Sequence, residues 1–232
     1  MNHILRVARM QLVNSWAIIG LPIGILLLAV AANVVIFVAL SAPDADGELI
    51  TGGILSIYIT LLISHLQTMT QMFPFAVGLS VTRKAFLGAA ALIVTAQSFG
   101  YAVLLWLLEL IEKATGGWGL DLTFFALPFL DMANPLAQIL VYAAPFLVFS
   151  FFGLWVGIVY KRWGQFGAWA LAVSLAGLGV AIVALVSWRG WWPNVGEFLT
   201  TQPTMALLVA YPVLIAAVLA GATYLTTRKA VP

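Results

Sequence analysis

The chain contains no cysteine, which excludes disulfides, thiolate metal sites and cysteine nucleophiles. Charge is scarce too. Only 8% of the 232 residues are Asp, Glu, Lys or Arg, against 63% hydrophobic, where a soluble domain carries about 25% charged residues. So few polar side chains cannot cover a water-facing surface, and a mean hydropathy of +1.09 assigns the chain to a bilayer. A net charge of +2 gives no reason to expect nucleic acid. The two histidines, His3 and His65, stand far apart in sequence, and no metal constellation accompanies them. None of the lysines, Lys84, Lys113, Lys161 and Lys229, follows a glycine, so the phosphate-cradling loop G-x-x-x-x-G-K-[ST] is missing, as are H-E-x-x-H and G-x-S-x-G. The chain is therefore read as a non-enzyme, with no cofactor and no metal of its own.

Long apolar runs dominate what is present. A helix needs about 20 apolar residues to cross roughly 30 Å of hydrocarbon. Six runs qualify: Trp16–Leu40, Gly53–Leu79, Ala85–Leu110, Leu136–Tyr160, Phe166–Trp188 and Thr204–Thr226. Gly20, Pro22, Gly24, Pro145 and Pro212 fall inside them and do not argue against helix, because membrane helices tolerate both residue types. The first run is too long for the about 7–15 residues of a signal-peptide core, so a retained helix is expected. Ahead of it, residues 1–15 read as an amphipathic interfacial helix, with Met1, Ile4, Leu5, Ala8 and Leu12 on one side and Asn2, Arg6 and Arg9 on the other. The expected fold is all-α: one polytopic transmembrane domain over residues 1–232, with spans at about 16–40, 53–79, 85–110, 136–160, 166–188 and 204–226.

Charge sets the orientation. An even number of crossings puts both termini on one side. Arg6, Arg9, Arg83, Lys84, Lys161, Arg162, Arg228 and Lys229 fall there, and all the acidic residues fall on the other, with only Lys113 and Arg189 among them. Basic loops mark the cytoplasm, so both termini and the turn between the second and third spans are expected to be cytoplasmic. That turn lies in FPFAVGLSVTRKAF, residues 73–86. It reads either as a plain basic turn or as an amphipathic handle, with Val81, Ala85 and Phe86 flanking Arg83 and Lys84, that another protein grips.

The interior runs carry no obvious charge. Glu109 and Glu112 are read as snorkelling to water at the outer end of the third span. A proton-coupled transporter would place ionisable residues near midplane. Uncharged polarity collects instead on the second span, where Thr60, Ser64, Gln67, Thr68 and Gln71 share a narrow arc. Such a stripe faces protein or a cavity rather than lipid. It is either a translocation path or dimer seam, or a set of interhelical hydrogen bonds worth about 0.6 kcal/mol each. Asn33, Gln97 and Ser174 are candidates for the same region. His65 lies off the stripe and is read as structural. The G-x-x-x-G pairs Gly20/Gly24 and Gly153/Gly157 are read as packing. Tryptophans mark the interfaces, GGWGLDLTFFALPFLDMANP (116–135) is expected along the outer surface, and SWRGWWPNVGEFLTTQP (187–203) is too short for two full re-entrant helices.

The stretch MTQMFPFAVGLSVTRKAFLGAAALI, together with the layout of amphipathic leader, six spans and aromatic outer segment, resembles the permease subunits of ABC-2 (type V) exporters of the small bacterial kind. The resemblance implies a bacterial plasma-membrane protein coupled through the 80–86 loop to a separate ATP-binding ABC subunit, which would hold the ATP and Mg. Val81, Thr82, Arg83, Lys84 and Phe86 would be the docking residues, and a second permease copy or homologue would complete a dimer. It also implies export, and the apolar lining suggests an amphiphilic or hydrophobic cargo. A non-transporting membrane partner, such as a sensor or immunity subunit, is the alternative.

Overall fold

The computed structural model describes residues 2–11, 16–39 and 49–228. Asp44, Asp46, Glu48 and Lys229 lie outside the described residues, as do Met1 and Leu12 of the leader. The protein is helical: α1 (Asn2–Gln11), α2 (Leu21–Ala39), α3 (Leu55–Gln67), α4 (Phe73–Gly78), α5 (Arg83–Ala114), α6 (Pro135–Trp188), α7 (Trp192–Thr201) and α8 (Tyr211–Arg228). A two-residue parallel ladder, β1 (Leu49–Ile50) on β2 (Leu122–Thr123), is the sheet among the described residues. Among the described residues four helical stretches, not the six expected, are long and apolar enough to cross a membrane: Ile18–Ala39, Arg83–Ala114, Pro135–Trp188 and Ala206–Arg228; the fourth and fifth expected spans fall in the one helix Pro135–Trp188, and the second is divided by a π turn.

Among the described residues three π turns interrupt the helices, and each leads into a proline. Trp16–Gly20 leads into Pro22, Thr68–Met72 into Pro74, and Ala206–Ala210 into Pro212. Proline brings no N–H to the carbonyl four residues back, and its ring crowds that carbonyl. The preceding turn widens to bonds spanning five residues, as in Phe73 N–H to Thr68 O and Tyr211 N–H to Ala206 O. Across the second joint the helical backbone stays continuous, so α3, its π turn and α4 form one rod from Leu55 to Gly78. Pro22 frees the carbonyl of Ile18, and α5 satisfies it: the Tyr101 hydroxyl donates at 2.8 Å and Gln97 Nε2 at 3.3 Å.

Two apolar clusters organise the bundle. One, at the end where α3 begins and α5 finishes, joins Leu26, Ile57, Leu61, Tyr101, Leu105, Tyr142 and Phe146 to Phe124, Phe125 and Leu127. The segment 116–135, expected along the outer surface, therefore turns inward. Its anchor is Glu112, which is 2% exposed. The Glu112 carboxylate accepts from the backbone N–H groups of Phe124, Phe125 and Ala126 at 2.8–3.2 Å and from Trp118 Nε1 at 2.8 Å. Beside it Glu109, also 2% exposed, pairs with Lys113 Nζ at 2.6 Å and accepts from the Tyr142 hydroxyl at 2.9 Å. Neither glutamate snorkels to water. Both are pinned by a loop that folds over them.

The second cluster, at the opposite end, packs Val7 and Ala8 of α1 against Met69, Phe73, Ala76, Phe86, Ala89, Leu154 and Ile158. α1 thus turns Val7, Ala8 and Gln11 to the bundle and leaves Leu5, Arg6 and Arg9 outward, a different face from the Leu5-containing one that a lipid interface would select. Gly88 makes room for Ile4, whose Cδ1 lies 3.3 Å from where a Cβ would stand. α3 and α6 meet most closely at Gly153 and Gly157. A Cβ on the first would strike the Leu62 carbonyl, and one on the second would come within 2.7 Å of the Leu66 carbonyl. Gly24, by contrast, has nothing within 4 Å.

α6 is helical throughout except at Gly164, with φ 67° and ψ −158°. Residues 165–188 beyond that break are exposed on nearly all sides. α7 supplies the single helix of the short segment before α8.

Candidate functional site

Two features gather the residues singled out from sequence. The first is the turn between α4 and α5. It is four residues long, 79–82, with no separate amphipathic helix. Ser80 N–H bonds Val77 O at 2.9 Å and Val81 N–H bonds Ala76 O at 3.0 Å, with Ser80 left-handed at φ 62°. These paired bonds close α4 in a Schellman motif. Thr82 then caps α5 by accepting from Ala85 N–H at 3.3 Å. Phe86 is fully buried with its ring 5.3 Å from that of Phe73, so it fixes the turn from below. Arg83 is half-buried and donates from Nη1 to the carbonyls of Thr227 and Arg228 at 3.3 and 3.1 Å, where the negative end of the α8 dipole favours a cation. Val81 is half-buried; Thr82 and Lys84 are exposed. Of the two cations, Lys84 faces outward and Arg83 ties α5 to the end of α8.

Around this turn the basic residues of four segments share one end of the bundle. Arg6 and Arg9 come from α1, Lys161 and Arg162 from the break in α6, and Arg228 from α8. Arg162 and Arg228 line one cavity, and Arg162 stacks 4.2 Å over Trp163. Both ends of the described chain lie here, since α1 packs beside Phe86 and Arg83 holds the last turn of α8.

The second feature is a polar cavity of about 120 Å³ behind that turn, lined by residues of α1, α3, α5 and the first two π turns. Gln11, Ser64, His65, Gln67, Thr68, Gln71 and Gln97 supply its polar wall, and Ile18, Met72, Ala90 and Ile93 the apolar one. Four members of the stripe meet here: Ser64, Gln67, Thr68 and Gln71. Thr60 does not; it is buried and donates to its own helix at Ser56 O, 2.7 Å. Gln97 joins the cavity. Asn33 instead binds Thr51 near the opposite end, and Ser174 is exposed on α6.

No protein-family model, no curated protein and no solved structure matches the chain. Its own residues alone carry the functional reading.

Gln11 is a polar wall residue that sequence reasoning passed over, and His65 is one that it read as structural. They are 5% and 3% exposed. Gln11 Nε2 lacks a hydrogen-bond partner among the described residues, whereas the side chains of His65 and Gln97 pair with each other between α3 and α5. Because Gln97 Nε2 donates to a carbonyl, its orientation is fixed and Oε1 is the atom that accepts from His65. Unpartnered buried polar groups cost about 1–3 kcal/mol each. No charged side chain lines the cavity. It is built to hydrogen-bond, not to bind an ion.

Proposed function

We propose that the chain is the membrane-spanning permease subunit of an ATP-driven exporter of the ABC-2 (type V) kind, working with a separate ATP-binding subunit and a second permease copy. In this reading it crosses the membrane six times. The rod Leu55–Gly78 supplies a span of 24 residues' length, about 36 Å at 1.5 Å per residue. α6 supplies two spans, reversing at Gly164. Chain length supports the reversal. Residues 165–188 and 206–228 are each about 35 Å of helix starting or ending beside the Arg162–Arg228 cavity. Run straight on, α6 would end about 70 Å from the start of the last helix. Residues 189–205, ten of them helical, reach at most about 40 Å.

The observation that carries the reading is the gathering of basic residues from four segments around a short, doubly capped turn. Basic loops face the cytoplasm, which puts the turn, and the exposed Lys84 on it, where an ATPase can reach it. The rigid turn opens directly into α5, which carries Gln97 about 21 Å further in. A push on the turn is thus transmitted to the polar cavity. Gln67 and Gln71 are exposed at its mouth; amides facing lipid are costly, which favours a second permease copy or a water-filled path there. The substrate is amphiphilic or hydrophobic, consistent with the apolar walls.

The test is purification of the full chain from its native membrane. An ATP-binding subunit with vanadate-sensitive ATPase activity is expected to accompany it, and Lys84→Glu is expected to release that subunit while the folded chain is retained. A folded chain that carries no ATPase removes the proposal.

A further inference from the structure

The basic end of the bundle holds cations that the protein does not neutralise. The two ion pairs among the described residues both belong to Lys113, at the opposite end. Two of the unneutralised cations face one space. Arg162, beside the break in α6, and Arg228, in the last turn of α8, line a cavity of about 500 Å³ with Leu225 and Thr226. Thr226 gives its hydroxyl hydrogen to Ala222 O at 2.8 Å, so the side-chain donors that this cavity offers are the two guanidinium groups.

Each guanidinium is stacked. Arg162 lies 4.2 Å from the ring centre of Trp163, and Arg228 5.9 Å from that of Tyr224. Stacking occupies a face of the guanidinium and leaves its edge N–H groups in the fork that matches a phosphate. A space flanked by two such forks, with no carboxylate partner for either among the described residues, selects an anion over water or a neutral group.

The surface below the cavity tells what carries the anion. Leu225, Val218 and Leu214 follow one another at helical spacing, so they form one line down α8, and each is more than half exposed. At 1.5 Å per residue the line is about 17 Å long, close to one leaflet of a hydrocarbon core roughly 30 Å thick. Trp163 and Tyr224 stand at the level of the cations, as interfacial aromatic residues do. A free phosphate would use the forks and leave the apolar line uncovered. A second copy inserted the same way up would cover the line but bring further cations to the forks. An anionic phospholipid satisfies both.

We propose that the Arg162–Arg228 cavity binds the phosphodiester headgroup of an anionic phospholipid, with an acyl chain laid along Leu225, Val218 and Leu214. The lipid ties the break in α6 to the last turn of α8. Because Arg83 donates to Thr227 O and Arg228 O, it also steadies the turn between α4 and α5. The site does not rest on the exporter reading.

The full chain is placed in phosphatidylcholine nanodiscs that carry phosphatidylglycerol and phosphatidylethanolamine in equal share, and the lipids it retains in detergent are counted by native mass spectrometry. One phosphatidylglycerol per chain is expected, enriched about tenfold over phosphatidylethanolamine, equivalent to about 1.4 kcal/mol. Arg162→Gln with Arg228→Gln is expected to remove the enrichment. Arg6→Gln with Arg9→Gln takes the same charge from exposed positions on α1 at the same end and is expected to leave it. Equal loss in both variants makes the patch a diffuse field and overturns the site, as does equal retention of the two lipids by the wild-type chain. Probes added to the wild-type chain distinguish the sources and stand even where a variant does not fold. Dihexanoyl phosphatidylglycerol is expected to raise the thermal midpoint, while its tail-free headgroup, glycerophosphoglycerol, and inorganic phosphate leave it unchanged. An equal rise with either soluble anion overturns the lipid assignment. None of these readouts needs an ATPase partner.

Discussion

The two ends of the bundle bury polarity of different kinds. At the Glu112 end the hardest groups to bury, two glutamates, are matched by Trp118, Tyr142, Lys113 and three backbone N–H groups. At the basic end the buried groups are neutral: His65 and Gln97 pair with each other, and Gln11 Nε2 has no partner among the described residues, as Gln138 Nε2 has none at the Glu112 end. The contrast separates charge that must be matched for the fold to form from neutral polarity that the fold tolerates with a donor unmatched.

Removing a structural group should cost far more than removing a cavity group. Glu112→Ala strands three buried N–H donors at about 1–3 kcal/mol each. The expected loss is at least about 3 kcal/mol, with residues 122–127 opening to hydrogen exchange. A smaller effect would break the comparison at its stronger end. Gly157→Val drives a side chain into the Leu66 carbonyl and Met69, on the seam that carries the cavity wall. Overpacking of this kind costs about 1–3 kcal/mol, read as a lower thermal midpoint, and it distorts the cavity along with the fold. Ser80→Gly relieves a left-handed non-glycine residue and should raise stability by about 0.5–1 kcal/mol, because glycine favours that position. It sharpens the account by showing that the turn's strain is local.

Much of the architecture was legible in the sequence, because its signals are periodic and additive. The apolar runs are helical, the segregation of basic residues by loop matches their gathering at one end, and Gly153/Gly157 mark a close helix crossing. Four members of the polar stripe, Ser64, Gln67, Thr68 and Gln71, line one cavity, and the fifth, Thr60, does not. What stayed hidden depends on non-local partners. Nothing in the sequence distinguishes a glutamate that snorkels from one that caps three backbone amides twelve to fourteen residues away, as Glu112 does. Phe86 looked like part of an outward element because its partner, Phe73, lies on another helix. Gln11 sits on the buried face of α1 only because that helix packs on protein as well as lipid. His65 looked off-stripe on a helical wheel, and it does stand about 100° from Ser64; it reaches the cavity because Gln97 of α5, its side-chain partner, widens the polar wall to that side.

The central claim is that the polar wall of the cavity belongs to the working surface of the permease and does not hold the fold. Its most direct test is the thermal midpoint of Gln11→Leu in lipid nanodiscs without any added probe. Replacing an unpartnered buried amide by a hydrocarbon of similar size should leave the midpoint equal to or above that of the wild-type chain. A midpoint several degrees lower would make Gln11 a structural residue and contradict the claim.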